Sequence, residues 1–323
     1  MLGSKKLARQ TYRDDNQPGM LLDRVPRAIL AVTTLTSASS AALKRAAIWA
    51  RGFNVKLYVQ YVMEPQLRSH RLFPQRHLTQ IFEHSLTTEV LQERIQRWVV
   101  QLGEPPLPLE QILVSEGNLS EQIAAASQTT DVDFIVLGLP QVGDPGHRNE
   151  LTPHTVRQIV RMSERPVLVA RSAAPAIHIL AATDLSDPAY PVLHYATRLA
   201  NRVGANLTFL HPFDSAKDSL LALPFGGMLP SWPPATVSLR ASAAWSQLFR
   251  LALHFGAETA TVVTEPGDAS SKILAEASTR HVDMIVIGAH KKGMLPGWLQ
   301  ASLEVEVMKQ AAASVMVVPL DHN

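Results

Sequence analysis

The chain of 323 residues contains no cysteine. That excludes disulfides, thiolate metal sites and cysteine nucleophiles, and it suits a reducing compartment. No apolar run approaches the roughly 18 residues that a membrane-spanning helix needs. The first residues also lack the continuous apolar stretch of a secretory signal. The expectation is a cytoplasmic protein without membrane insertion. Charge is sparse as well, at 18% of residues with a net of +2. Lys5, Lys6, Arg9, Arg13, Arg24 and Arg27 stand against Asp14, Asp15 and Asp23, so residues 1–27 carry +3 and the remainder −1. A basic tail on a near-neutral body supplies no basic face, so nucleic acid is not an expected partner. Catalytic signatures are missing too: there is no Gly-x-Ser-x-Gly elbow, no P-loop lysine pattern and no carboxylate pair in one motif. His70, His77 and His84 lack the convergent company a metal requires. The expectation is a protein that is not an enzyme and holds no metal.

What the chain does contain is itself, twice, at an offset of 150 residues. Gly117 falls on Gly267, Ile123 on Ile273, Leu43 on Leu193 and Ala50 on Ala200. The stretch from Val132 to Gly138 matches the stretch from Val282 to Gly288. A long period repeated once indicates a duplicated domain, because solenoid repeats are shorter and more numerous. With 46% hydrophobic residues the chain has the apolar content of two globular domains. The expected organisation is a flexible basic tail over 1–26, a first domain over 27–172 and a second over 177–320, joined by a short Ala/Pro linker.

Within each copy, short apolar runs rich in strand formers alternate with segments of helical periodicity. In copy one the expected strands are Ala28–Thr33, Val55–Met63, Gln111–Ser115, Asp133–Leu139 and Pro166–Ala170. The expected helices are Ala41–Arg51, Gln75–Leu102, Leu119–Ser127 and Thr155–Met162. Copy two repeats the order, with strands Ile177–Thr183, Asn206–His211, Thr259–Thr264, Asp283–Ala289 and Ser314–Pro319. Its helices are Pro191–Arg202, Ser238–Phe255, Ala269–Thr279 and Ser302–Ala312. Continuously apolar strands alternating with helices predict two doubly wound α/β domains, each with a five-stranded parallel sheet covered on both faces. Ligands of such sheets sit at the carboxyl ends of the strands. One Gly- and Pro-punctuated apolar stretch, Leu220–Pro234, occurs in copy two only.

Two segments at those carboxyl ends carry candidate chemistry. Asp184, in Thr183-Asp184-Leu185-Ser186, places a carboxylate where it can accept from a ligand hydroxyl or amine; capping the following helix is the competing role. Copy one has Thr34 there. The second segment runs from Gly288 to Ser302 and includes His290, Lys291, Gly293 and Ala301. A strand, a glycine-bearing loop and a helix N-terminus form a general recipe for holding an anion, although a plain surface connection has the same composition.

On these segments the chain resembles the universal stress protein family in its tandem form. The resemblance rests on Ile179–Leu193, on Gly117 and Gly267 each opening a helix, and on Gly288 followed by Ala301-Ser302 and Val315-Met316-Val317-Val318-Pro319. It implies an adenine-nucleotide alpha-hydrolase-like fold with the two copies related by a pseudo-two-fold. It implies ATP or a related adenine nucleotide as ligand, with Asp184 on the nucleoside and Gly288 and Ser302 on the phosphates. Lys291 and Ala301 stand where ATP-binding members have glycines. Copy one departs further: counted back from the last strand, Pro153 and His154 occupy the places of Ala301 and Ser302, after a loop two residues longer.

The expected function is stress-linked sensing or regulation by an internal pseudo-dimer, with nucleotide in copy two alone and an unidentified protein partner. Pairing of two chains into a homodimer is compatible with it. The alternatives are a nucleotide-free interaction module using the 220–234 loop, and a slow nucleotide hydrolase.

Overall fold

The computed structural model describes residues 26–63, 87–139, 151–185, 190–213, 234–290 and 302–320. Copy one runs β1 (Ala28–Val32), α1 (Ser37–Phe53), β2 (Lys56–Met63), α2 (Thr88–Gln101), a 3-10 turn (Leu109–Gln111), β3 (Ile112–Glu116), α3 (Leu119–Thr129), β4 (Phe134–Leu137), α4 (Pro153–Ser163) and β5 (Val167–Val169). Copy two runs β6 (His178–Ala182), α5 (Pro191–Val203), β7 (Asn206–Phe213), α6 (Pro234–His254), β8 (Thr261–Pro266), α7 (Ala269–Thr279), β9 (Met284–His290), α8 (Leu303–Gln310) and β10 (Ser314–Leu320). All the expected strands are present. Of the expected helix Gln75–Leu102, residues 75–86 lie outside the described residues. Helix α1 begins at Ser37, four residues ahead of the expected start, because the Thr36 hydroxyl accepts from the Ser39 amide and Asn54, at φ 55°, stops the far end.

The strands form one ten-stranded sheet in the order β3-β2-β1-β4-β5-β10-β9-β6-β7-β8. Within each copy the pairing is parallel; at the centre β10 runs antiparallel to β5, with Met316 opposite Leu168. Two open edges, which would otherwise invite foreign strands, are thereby closed against each other. Burial follows the layer geometry: β1, β4 and β5 are buried at every position. The expected pair of separate domain cores becomes one apolar layer per sheet face. One layer joins Leu43, Ile95, Leu193 and Leu248; the other joins Ile123, Ile159, Ile273 and Val307.

Polar contacts fix the two copies together. Arg45 of α1 is 1% exposed, donates to the carbonyl oxygens of Ser172 and Ala174 in the linker, and lies 5.7 Å from the Trp49 ring centroid. Burial lowers its pKa, and the Asp283 carboxylate opposes that shift. On the other face Arg157 of α4 approaches Glu304 of α8 to 2.9 Å, and Arg171 donates to the Met308 carbonyl.

The repeated Val-Asp of the two copies proves structural. Asp283 Oδ2 accepts from the amides of Ile177 and His178, at 2.8 and 2.9 Å. Asp133 Oδ2 does the same for Arg27 and Ala28. Each aspartate satisfies the amides where the first strand of its copy begins, ahead of the first bonds of the sheet ladder.

Candidate functional site

In each copy the strand order reverses between the first and fourth strands, so the crevice lies at their carboxyl ends. Both copies build its floor with the same turn. The Thr183 amide donates to Leu210 O at 3.0 Å and the Thr183 hydroxyl accepts from the Leu185 amide at 3.0 Å. In copy one the Thr33 amide donates to Gln60 O at 2.9 Å and its hydroxyl accepts from Leu35 at 2.9 Å. The hydroxyl clasp holds Leu35 and Leu185 at φ of 57° and 62°, a region leucine rarely visits. In copy two this turn puts Asp184 on the surface of the crevice, exposed. His211 Nδ1 braces the turn from β7, 2.8 Å from Thr183 O; the carbonyl can only accept, so Nδ1 carries the proton.

The copies then diverge. In copy one Thr34, Thr36 and Ser39 bond one another through their hydroxyls at 2.9–3.2 Å, so the position facing Asp184 in the repeat is spent on its own helix start. That start also packs closely against the fourth strand. A Cβ placed on Gly138 would lie 2.0 Å from the Ala38 carbonyl oxygen and 2.5 Å from its carbon. The backbone of α1 therefore rests directly on the end of β4. In copy two a Cβ on Gly288 would meet the Leu320 side chain at 2.6–2.8 Å. The same glycine thus has a packing reason, a neighbouring leucine on β10; residues 186–189, which correspond to the start of α1, lie outside the described residues.

The helix starts beyond the loop differ in the same sense. Ser302 is the N-cap residue of α8, but its hydroxyl makes no cap bond, and Oγ is buried without a hydrogen-bond partner among the described residues. Its counterpart is Thr152, whose hydroxyl accepts from the Thr155 amide at 3.1 Å and meets the Thr155 hydroxyl at 2.9 Å. This corrects the expected pairing of Pro153 and His154 with Ala301 and Ser302. Fourteen positions separate Gly138 from Thr152 and Gly288 from Ser302 alike, so the loops are equal in length. The two extra residues of copy one fall after the cap: 15 positions separate Thr152 from Val167, and 13 separate Ser302 from Val315, the matching strand position. Counting back from the final strand crosses that insertion and shifts the alignment.

Helix α8 carries Glu304 and Glu306 in its first turn, which suits its own dipole but disfavours an anion. Arg157, reaching across from α4, offsets Glu304. His290 ends β9, while Lys291, Gly293 and Ala301 lie outside the described residues. Of the expected site residues, the fold therefore brings Asp184, Gly288 and Ser302 to one end of the sheet. The His211 brace was missed from the sequence; a histidine inside an apolar strand was its only signal. Among the described residues no group of three His, Asp or Glu could hold a metal ion, and no helix is long and apolar enough to cross a membrane.

The universal stress protein family matches the chain twice, over residues 26–171 and 177–319. No curated protein matches it. Among solved structures, a universal stress protein from Archaeoglobus fulgidus DSM 4304 is similar at 17% identity and a TM-score of 0.60, covering 91% of this chain and 96% of its own. A functionally unknown protein from Pseudomonas aeruginosa PAO1 is similar at 18% identity and a TM-score of 0.58, covering 93% and 94%. At these identities the likeness concerns the fold.

Proposed function

For this chain, which belongs to the universal stress protein family with both copies matched, we propose a regulatory role in which copy two alone binds an adenine nucleotide. The observation that carries the reading is the Ser302 hydroxyl, buried and unbonded among the described residues at the head of α8, while Thr152 in copy one is consumed by its cap. A buried hydroxyl without a partner costs on the order of 1–3 kcal/mol, and a phosphate oxygen would satisfy it. Asp184 stands at the end of β6, where it would accept from the ribose or base. Gly288 and Ser302 would border the phosphates, and Lys291 would add a counter-charge. ATP fits this donor set; its own contribution, when bound, is the negative charge and the adenine ring by which it is recognised. Binding would shift a conformational population that a partner reads, without turnover.

The test is direct. Protein purified without added nucleotide is denatured and the supernatant resolved by anion exchange at 260 nm, and ATP affinity is then measured by titration. Asp184→Ala should weaken ATP binding about tenfold or more, the scale of a charge-assisted hydrogen bond, whereas Thr34→Ala should leave it unchanged. Equal losses from both would refute a single active copy. Saturable, magnesium-dependent phosphate release would overturn the absence of turnover.

A second reading, an interaction module, is favoured by α6. Leu239, Trp245, Phe249 and Leu253 are exposed along this helix, and the Trp245 and Phe249 rings stack at 5.1 Å. An exposed apolar stripe of this kind marks a contact surface. The 220–234 loop, on which this alternative rests in the sequence, lies outside the described residues except for Pro234, which starts the helix. A melting temperature indifferent to every nucleotide would favour this reading.

A further inference from the structure

We infer that copy one carries a separate small-molecule site that takes an amphiphile with an apolar tail and a single carboxylate head. The site lies away from the crevice, at the opposite end of the sheet, where α1, α2 and the connector from α2 to β3 enclose a cleft of about 440 Å³ beside the start of β2. Small-molecule sites span about 300–1,000 Å³. Its inner wall is built by Leu43 and Ala47 from α1, Leu57 from β2, Val99 from α2 and Leu107 from the connector. Arg51, Asn54, Lys56, Glu104 and Gln111 supply its polar lining.

The cleft exists because the connector is long. Gly103 and Gly256 end their helices in matching left-handed conformations, at φ of 82° and 73°. Ile112 and Val262 hold matching register positions, opposite Val59 and Phe209. Nine positions separate the first pair and six the second, so copy one spends three more residues on the same span. In copy two the short connector drops straight onto the core and Ala257 is buried. In copy one the added length, with Pro105, Pro106 and Pro108, arches away and leaves space.

That arch is held in place. Gln96 donates to Leu107 O at 3.0 Å and accepts from its amide at 3.2 Å, and Gln92 donates to Ile112 O at 2.8 Å. Prolines with fixed φ and a two-way side-chain clamp make a wall that needs little ordering when a ligand arrives. The mouth sets the charge. Glu104, with a side chain only 10% exposed, is paired with Arg51, whereas Lys56 has no ion pair among the described residues. One neutralised pair and one cation suit a monoanion. The corresponding residues of copy two are Asn201 and Asn206, so the charge belongs to copy one alone.

The probe is decanoate, titrated calorimetrically into the full chain, with octanoate and 1-decanol as comparisons. Decanoate should bind more tightly than octanoate by about fourfold per methylene. It should exceed decanol by about fivefold to tenfold, and Lys56→Gln, at an exposed position, should erase that preference. Ala47→Leu or Leu107→Trp, each filling the cleft, should abolish binding of both. Absence of decanoate binding at 1 mM in the wild type (about −4 kcal/mol) overturns the proposal, as does binding untouched by the filling variants. Decanol binding as well as decanoate overturns the assignment of the head group. None of these outcomes depends on the nucleotide reading, because ATP affinity is measured separately on the same variants.

Discussion

Thr152→Ala and Ser302→Ala remove one hydroxyl each from equivalent helix starts, and the structure gives them opposite consequences. Thr152 Oγ1 satisfies the Thr155 amide and shares a second bond with the Thr155 hydroxyl, at 3.1 and 2.9 Å. Losing such a cap costs about 1 kcal/mol, within a range of about 0.5–2. Ser302 Oγ is buried and makes neither bond. Its removal forfeits nothing and relieves an unsatisfied group, so Ser302→Ala in the ligand-free protein should be neutral or stabilising by up to about 1 kcal/mol. The expected gap between the variants is thus about 1–2 kcal/mol. Equilibrium urea unfolding, fitted with a common denaturant slope, resolves that difference. With saturating ATP the cost should rise for Ser302→Ala alone, because only the Ser302 hydroxyl then gains a partner. A ligand-free Ser302→Ala variant as destabilised as Thr152→Ala would refute the reasoning. Ser302 would then be an ordinary cap, and the open hydroxyl on which the proposed nucleotide site rests would be gone.

The two glycines that end the fourth strands should also separate. Gly138→Ala drives a methyl into the Ala38 backbone and should cost about 3 kcal/mol or more, whereas Gly288→Ala meets the movable Leu320 side chain and should cost about 1; equal losses in urea unfolding would show that α1 does not rest on β4. Tyr195 offers a pH test. Burial first, and then the Asp133 carboxylate, raise its phenol pKa well above the ordinary value. A raised acid favours its neutral form in the fold, so this contribution is constant below about pH 10, the unfolded value, and is lost as pH rises beyond it. Tyr195→Phe should flatten the alkaline loss of stability seen in urea midpoints between about pH 9 and 11, and an unchanged slope would show that the phenol is not buried as described.

Much of this architecture could be read locally. Apolar runs such as Ile29–Val32 and Met284–Ile287 have the length and branching of buried parallel strands, and the stop at Gly204 follows from its left-handed backbone. The position of Asp184 was legible for the same reason, since the end of an apolar run marks the end of a strand. Ser302 could be placed, but its unbonded state could not. Whether a hydroxyl caps depends on the turn that follows, and Thr152, at the equivalent position, does cap. The mistaken pairing of His154 with Ser302 shows the limit of counting: an insertion inside α4 leaves no mark in helical periodicity.

Sequence alone therefore determined the duplication, the order of strands and helices, and the crevice end of each copy, because periodicity and repeat spacing are properties of neighbouring residues. Tertiary structure decided how those pieces meet. The union of β5 with β10 into one sheet, which the family resemblance implied but no local pattern shows, joins strands nearly 150 residues apart. The burial of Arg45 against the linker, the seating of Ala38 against Gly138, and the cleft beneath the proline arch are likewise contacts between distant surfaces. Such contacts depend on shape and packing in three dimensions, which no local pattern in the chain records.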